Sequence, residues 1–184
     1  MELDRLKSVL RRTRVKSADG RLENTAEHSW HVAVMAILLE EYANSPVDLT
    51  KVIKMLLLHD IVEIDAGDTF VYDVVASESQ NEKELLAADR LFGMLPDDQR
   101  DELRAIWDEF EAAQSAEAVF AKGLDRMIPL IMNFNNQGQS WKEHGIKKEQ
   151  VIHINGKIEK GSAKLWQHAQ QIIEQAVENG WLKP

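Results

Sequence analysis

The 184-residue sequence contains no cysteine, which excludes a disulfide framework, a thiolate nucleophile and a thiolate metal site together. Any metal the chain holds must be held by nitrogen and oxygen. Long apolar runs are also missing. Nothing approaches the roughly 20 residues that cross a bilayer, and the opening MELDRLKSVLRRTR lacks the apolar centre of a secretory signal. A cytoplasmic protein with no membrane partner is the expectation. Cations are in short supply, with 22 Lys and Arg against 31 Asp and Glu and a formal charge of −9. That balance argues against a nucleic-acid polymer as partner, because phosphate backbones demand clustered positive charge. A small anionic substrate, held by one local cation group and a metal, remains compatible with it. There is no internal repeat, no low-complexity tract and no alternating stretch longer than residues 69–75 to suggest a strand.

What is present is a composition suited to a packed interior, 44% hydrophobic and 29% charged. The length is about that of one compact domain, so a single all-α domain over residues 1–184 is expected. Leu3, Leu6, Val9 and Leu10 recur at helical spacing, which predicts a helix over 2–14 with Arg11, Arg12 and Arg14 gathered at its C-terminal end. After a loop at 15–23, Asn24, Thr25 and Glu27 resemble a capped helix start. The helix that follows runs to about Tyr42, with His28, His31, Met35, Leu38 and Tyr42 on one face. Further helices are expected over 48–64, 82–95 and 116–134, the last bent or interrupted at Pro129, with another opened by Pro96, Asp97 and Asp98 and carrying Leu103, Ile106, Trp107 and Phe110 at spacings of three and four. Residues 66–79 and 133–145 read as loops, and helical periodicity returns over 147–178 with Gly156 and Gly161 as weak points.

The most informative stretch is LLLHDIVEIDAGD, residues 56–68. At 3.6 residues per turn Ile53, Leu56, Leu57, Asp60, Ile61 and Ile64 share one face, so Asp60 sits where the core should be. A buried carboxylate requires a counter-charge, hydrogen bonds or a metal ion, and no Lys or Arg follows Asp60 on that face. Its partner must come from elsewhere. His28 and Asp125 likewise occupy inward positions of two other helices. A lone inward histidine is more often a hydrogen-bonded core residue. The conjunction of two imidazoles and two carboxylates on three helices is what points to a divalent cation with nitrogen and oxygen ligands, among Mn²⁺, Co²⁺, Fe²⁺, Ni²⁺ and Zn²⁺, with Mg²⁺ as a further candidate.

These residues reach a known pattern. His28, the His59–Asp60 doublet and the distal Asp125 resemble the H…HD…D signature of the HD-domain metal-dependent phosphohydrolases, over about residues 21–135, with 147–180 as a C-terminal helical extension. ENTAEHS at 23–29, HDIVEIDAGD at 59–68 and AKGLDR at 121–126 are most similar to the branch containing the bacterial 5′-deoxynucleotidases (YfbR-like). The resemblance implies a helical HD-domain bundle in which His28, His59, Asp60 and Asp125 are the metal ligands. It also implies that Glu63 handles the nucleophilic water and that Asp68 belongs to the catalytic site. Arg14 and Lys122 are then the candidate substrate-binding cations, although that branch has Trp where Val15 follows Arg14 here. The implied activity is a 5′-nucleotidase hydrolysing (deoxy)nucleoside 5′-monophosphates with metal-activated water. The alternatives are a pyrophosphohydrolase for an alarmone or a nucleoside triphosphate, and a non-catalytic metal-binding scaffold. Against the alarmone version, those hydrolases resemble HD-x-x-E-D, whereas Ile64 follows Glu63 here.

Other residues carry weaker expectations. His31 could replace His28 as a ligand, but core duty or support of a ligand is preferred. Arg126 is a second candidate phosphate contact beside Asp125, and Asp65 either supports the site or caps the loop. His144, His153 and His168 read as surface residues, and the five tryptophans as core or subunit-contact residues. The apolar stripe Val151, Ile154, Ile158, Leu165 and Ile172 suggests a helix–helix contact and a homodimer.

Overall fold

The computed structural model describes residues 1–184, apart from the side chains of residues 74–78. The first segment departs from the expected helix over 2–14. A short 3-10 helix, Glu2–Ser8, leads into strand β1, Leu10–Val15, which pairs antiparallel with β2, Arg21–Asn24. Of the apolar residues that suggested a longer helix, only Leu6 is well buried, while Leu3 and Leu10 are 66% and 55% exposed. The turn closes through Asp19 and Gly20, both at positive φ (54° and 73°), a conformation that Asp tolerates and Gly adopts freely. The pairing is irregular: Leu10 faces Asn24 and Arg14 faces Leu22, so β1 carries surplus residues between the two pairs. They form a bulge, which re-aims side chains.

Helix α1, Thr25–Leu39, starts with the anticipated capping box, Asn24 accepting from the Glu27 N–H and Glu27 accepting from the Asn24 N–H. Its buried face carries Thr25, His28, Ser29, Val32, Ala33 and Ala36. That face is rotated from the expected one: Leu38 is 63% exposed and His31 half-buried. Helix α2, Leu49–Leu58, is capped by Asp48, whose side chain accepts from the Lys51 N–H. The helix expected to run to Ile64 stops at His59. After a tight turn with Ile61 N–H bonded to Leu58 O and Glu63 N–H to Asp60 O, α3, Glu63–Ala66, resumes the chain. Leu57, inward by the spacing, is 47% exposed, because the buried face of α2 runs through Val52, Met55 and Leu56.

Helix α4, Val74–Phe92, begins well before residue 82, so part of the expected 66–79 loop is helix. Ser77, Ser79 and Asn81 favour turns by propensity, but no Gly or Pro stands there to break a helix. Helix α5, Asp97–Ala112, buries Ile106, Trp107 and Phe110 as expected. Helix α6, Ala116–Asn135, is continuous across Pro129, and Asn133 Nδ2 donates to the Pro129 carbonyl. The segment expected as a polar loop contains α7, Gln139–His144, which buries Trp141 to 1% exposure. Three helices complete the chain: α8, Lys148–Asn155; α9, Ile158–Gly161; and α10, Ala163–Glu178. They separate at the glycines anticipated as weak points.

Helix α6 is the hub, touching α1, α2, α5, α8, α9, α10 and β1. Val151, Ile158, Leu165 and Ile172 of the expected helix–helix stripe make that contact within this chain's own core, while Ile154 is half-buried. Gly161 allows α9 to approach α6 closely, since a Cβ there would run into Val119 O and Phe120 Cα. No helix among the described residues is long and apolar enough to cross a membrane.

Candidate metal centre

Three elements deliver four side chains to one point beside α6. His28 projects from the first turns of α1, His59 caps the end of α2, Asp60 follows in the turn, and Asp125 lies midway along α6. His28 Nε2 is 2.9 Å from Asp125 Oδ1 and 3.9 Å from Asp60 Oδ2. His59 Nε2 is 3.1 Å from Asp60 Oδ2 and 3.5 Å from Asp125 Oδ1. The two imidazole rings lie 5.6 Å apart. The break after α2 therefore has a function: it turns His59 and Asp60 toward the same point, which one straight helix could not do for adjacent residues.

The chemistry of the donor set fits a divalent cation. His59 Nδ1 lies 2.9 Å from the Leu56 carbonyl, which can only accept, so Nδ1 carries the proton and Nε2 faces the cluster. Nε2 is buried and makes no hydrogen bond of good geometry. Ligand atoms of His28, His59 and Asp60 all lie within 4.8 Å of one another, and Asp125 Oδ1 completes a set of two nitrogens and two oxygens. A buried ring nitrogen directed at two carboxylates is costly to leave unpaired and is well matched to a cation.

The field here is steep. Burial disfavours a charged imidazole at His59, but Asp60 and Asp125 overcome it and push its pKa up to about 10. Burial would raise Asp60 and Asp125, yet the adjoining imidazoles and Arg11 bring Asp60 down to about 2, and the imidazoles with Arg126 hold Asp125 well below the usual carboxylate range. Glu63, 7% exposed, moves the other way: burial and the Asp60 charge push it up to about 9. Its carboxylate accepts a 2.7 Å hydrogen bond from Thr25 Oγ1. Burial and Asp60 likewise raise Asp68.

The counter-charge that the sequence places elsewhere is Arg11. From the β1 bulge its Nη1 donates to Asp60 Oδ2 at 2.8 Å and stands 3.8 Å from Glu63 Oε1 and 3.7 Å from Asp68 Oδ1. It thus takes part of Asp60, while His28 Nε2, His59 Nε2 and Asp125 Oδ1 still face one another. Reading residues 2–14 as a helix hid this role. The available signal was RRTRV, in which β-branched residues alternate with arginines, upstream of an acid-rich motif that lacks a cation.

A cavity of about 500 Å³ opens above the cluster, its wall including Arg11, Arg12, Lys122 and Arg126 with Phe70 and Tyr72. Asp68 and Glu63 line it too. Lys122 lies in this wall, its Nζ 3.2 Å from Glu111 Oε2 and 4.6 Å from the centre of the Phe110 ring. Arg14 does not: it pairs with Glu143 at 3.0 Å, donates to the Gly20 carbonyl, and is not part of the cavity wall. Arg14 lies past the bulge, where β1 pairs regularly with β2 again. His31 also stays outside, and Asp65 pairs with Arg90 rather than with the histidines and aspartates of the cluster. Trp30 is 64% exposed, so of the two places expected for it, core or subunit contact, it is not in the core.

A helical body that presents two histidines and two aspartates as a nitrogen and oxygen metal site defines a class of histidine–aspartate helical domains. The chain belongs to the HD domain family, which matches residues 3–166. The 5′-deoxynucleotidase HDDC2 of Xenopus laevis is 35% identical over 104 residues, 56% of this chain and 50% of that protein. Its human counterpart is 32% identical over 106 residues, 58% and 50% of the two chains. The chain thus spans about half the length of these curated relatives. The crystal structure of a predicted metal-dependent phosphohydrolase from Magnetospirillum magnetotacticum MS-1 is similar over 100% of this chain and 91% of that one, with 48% identity and a TM-score of 0.94. A protein from Pyrococcus horikoshii OT3 shares the fold at 20% identity, with a TM-score of 0.62 over 97% and 96% of the two chains.

Proposed function

We propose that the chain is a metal-dependent phosphohydrolase that removes phosphate from (deoxy)nucleoside 5′-monophosphates. The observation that carries this reading is the unpaired, buried His59 Nε2, directed with Asp60, Asp125 and His28 at one point beneath a cation-lined cavity. The names of the relatives support the substrate class, and the cavity is large enough for a nucleotide. His28, His59, Asp60 and Asp125 would hold the ion. A divalent cation at such a site lowers the pKa of water and neutralises phosphate charge.

The remaining work falls to this chain's side chains. Arg11, Lys122 and Arg126 hold the phosphoryl oxygens. Thr25 Oγ1 fixes the Glu63 carboxylate. Glu63, protonated when no ion is bound, would be ionised with a cation beside it, and as the carboxylate accepts the proton that water loses as its oxygen bonds to phosphorus. The bond from phosphorus to the nucleoside oxygen breaks, and the proton from Glu63 neutralises the leaving oxygen. Products are inorganic phosphate and a nucleoside.

The test is a panel of nucleoside mono- and triphosphates and a guanosine alarmone, offered to protein loaded with Mn²⁺ or Co²⁺ and scored for phosphate and pyrophosphate. Phosphate from monophosphates supports the proposal. Pyrophosphate from the other substrates moves the reading to a pyrophosphohydrolase, and no release from any substrate leaves a metal-binding scaffold.

A further inference from the structure

Three shielded polar atoms without hydrogen-bond partners lie close together beside His28: His28 Nδ1, Glu23 Oε2 and Arg11 Nε. Glu23 Oε2 is 3.6 Å from His28 Nδ1 and 3.8 Å from Arg11 Nε. Its side chain is 3% exposed, at the inward position of β2, one residue before the cap of α1. Neither the ligand set nor the phosphate contacts use this carboxylate. A buried carboxylate oxygen close to cationic groups but without a hydrogen bond is costly for a fold to keep.

We infer that Glu23 is a positioning residue that serves two parts of the site at once, orienting His28 for the metal and Arg11 for the phosphate. The inference rests on the metal-dependent reading above. A histidine that gives one ring nitrogen to a metal usually donates the other N–H to a carboxylate or carbonyl, which fixes the ring's tautomer and orientation. For His59 that acceptor is the Leu56 carbonyl. For His28 the nearby acceptor is Glu23, and a shift of about half an ångström brings the pair into hydrogen-bond range. The same oxygen faces Arg11 Nε, leaving Nη1 directed at Asp60, Glu63 and Asp68. A neutral side chain at 23 would free the imidazole to take either tautomer and leave the guanidinium anchored only from the acidic side.

The experiment uses the full chain with Glu23→Gln, which keeps an acceptor and the shape, and Glu23→Ala, which removes both. Zn²⁺ affinity is titrated by competition with a chelator, and the His28 Nδ1–H is followed by ¹⁵N-resolved NMR of the Zn²⁺-loaded protein. The wild type is expected to show a slowly exchanging, strongly deshielded Nδ1–H. Glu23→Gln should weaken Zn²⁺ binding by about tenfold and Glu23→Ala by up to about a hundredfold. The Nδ1–H should move upfield in the first and exchange away in the second, with helical content unchanged in Glu23→Gln. If Glu23→Ala does not fold, Glu23→Gln alone decides. Unchanged affinity, or weakened affinity with an unchanged Nδ1–H signal, overturns the inference while leaving the metal reading intact. A wild type that takes up no Zn²⁺ overturns both.

Discussion

Each residue of the site answers a burial problem with a charge or hydrogen bond, and the consequences can be measured singly. Glu63→Gln removes a proton acceptor while keeping the Thr25 hydrogen bond, so turnover should fall by about 10² to 10⁴ with metal content unchanged. Equal losses of turnover and metal would instead make Glu63 structural. Arg11→Ala leaves Asp60, Glu63 and Asp68 facing one another without their shared cation. Removing one partner of a buried ion pair typically costs about 3–5 kcal/mol, so the metal-stripped variant should unfold at much lower urea than wild type, and Mn²⁺ should restore part of the difference. A variant as stable as wild type would show that Arg11 is not the counter-charge. The convergence of His28, His59, Asp60 and Asp125 was legible in the sequence because polar residues at apolar positions stand out one by one. Arg11 was not, because nothing local says which side of a bulged strand it faces.

At the scale of elements, the sequence shows helices by their periodicity and their ends by glycine, proline and caps, while local exceptions go unseen. The α1 cap, Pro96 before α5 and the breaks at Gly156 and Gly161 were all readable. The hairpin was not, since Leu3, Leu6, Val9 and Leu10 mimic a helix stripe. Nor was the break after α2: its apolar spacing continues unbroken through Ile64, and nothing in that spacing announces a turn that brings His59 and Asp60 to one point. Gly161 offers a direct test of how tightly α9 holds α6. Gly161→Ala puts a methyl group against Val119 O and Phe120 Cα, and overpacking of this kind costs about 1–3 kcal/mol. Urea denaturation should show a lowered midpoint with an unchanged slope, and an unchanged midpoint would mean the two helices can separate without cost.

Across the whole molecule, an acidic chain gathers cations around one cavity, and the electrostatics of that cavity reach global stability. The C-terminal stripe shows the corresponding limit of sequence: an apolar face announces burial but not whether its partner is the same chain, and here it is. Stability without metal follows from linkage. Glu63, raised from 4.5 to about 9, keeps a proton that the unfolded chain has lost, and so does His59, raised from 6.5 to about 10. Between pH 6.5 and 9 the unfolded state therefore binds fewer protons, and stability falls as pH rises. The melting temperature of metal-stripped protein should drop across that window, and a flat or rising profile would contradict the assigned environments. Metal binding should run oppositely, strengthening with pH, because the ligands must shed protons to accept the ion.

The most direct test of the central claim is calorimetric titration of metal-stripped protein with Mn²⁺ at pH 7.5, in two buffers of different ionisation enthalpy, for wild type and His59→Asn. One ion per chain, bound with release of protons and lost in the variant, is the predicted result. No uptake by the wild type, or uptake that the variant leaves unchanged, would contradict the claim that these four side chains converge to hold a cation.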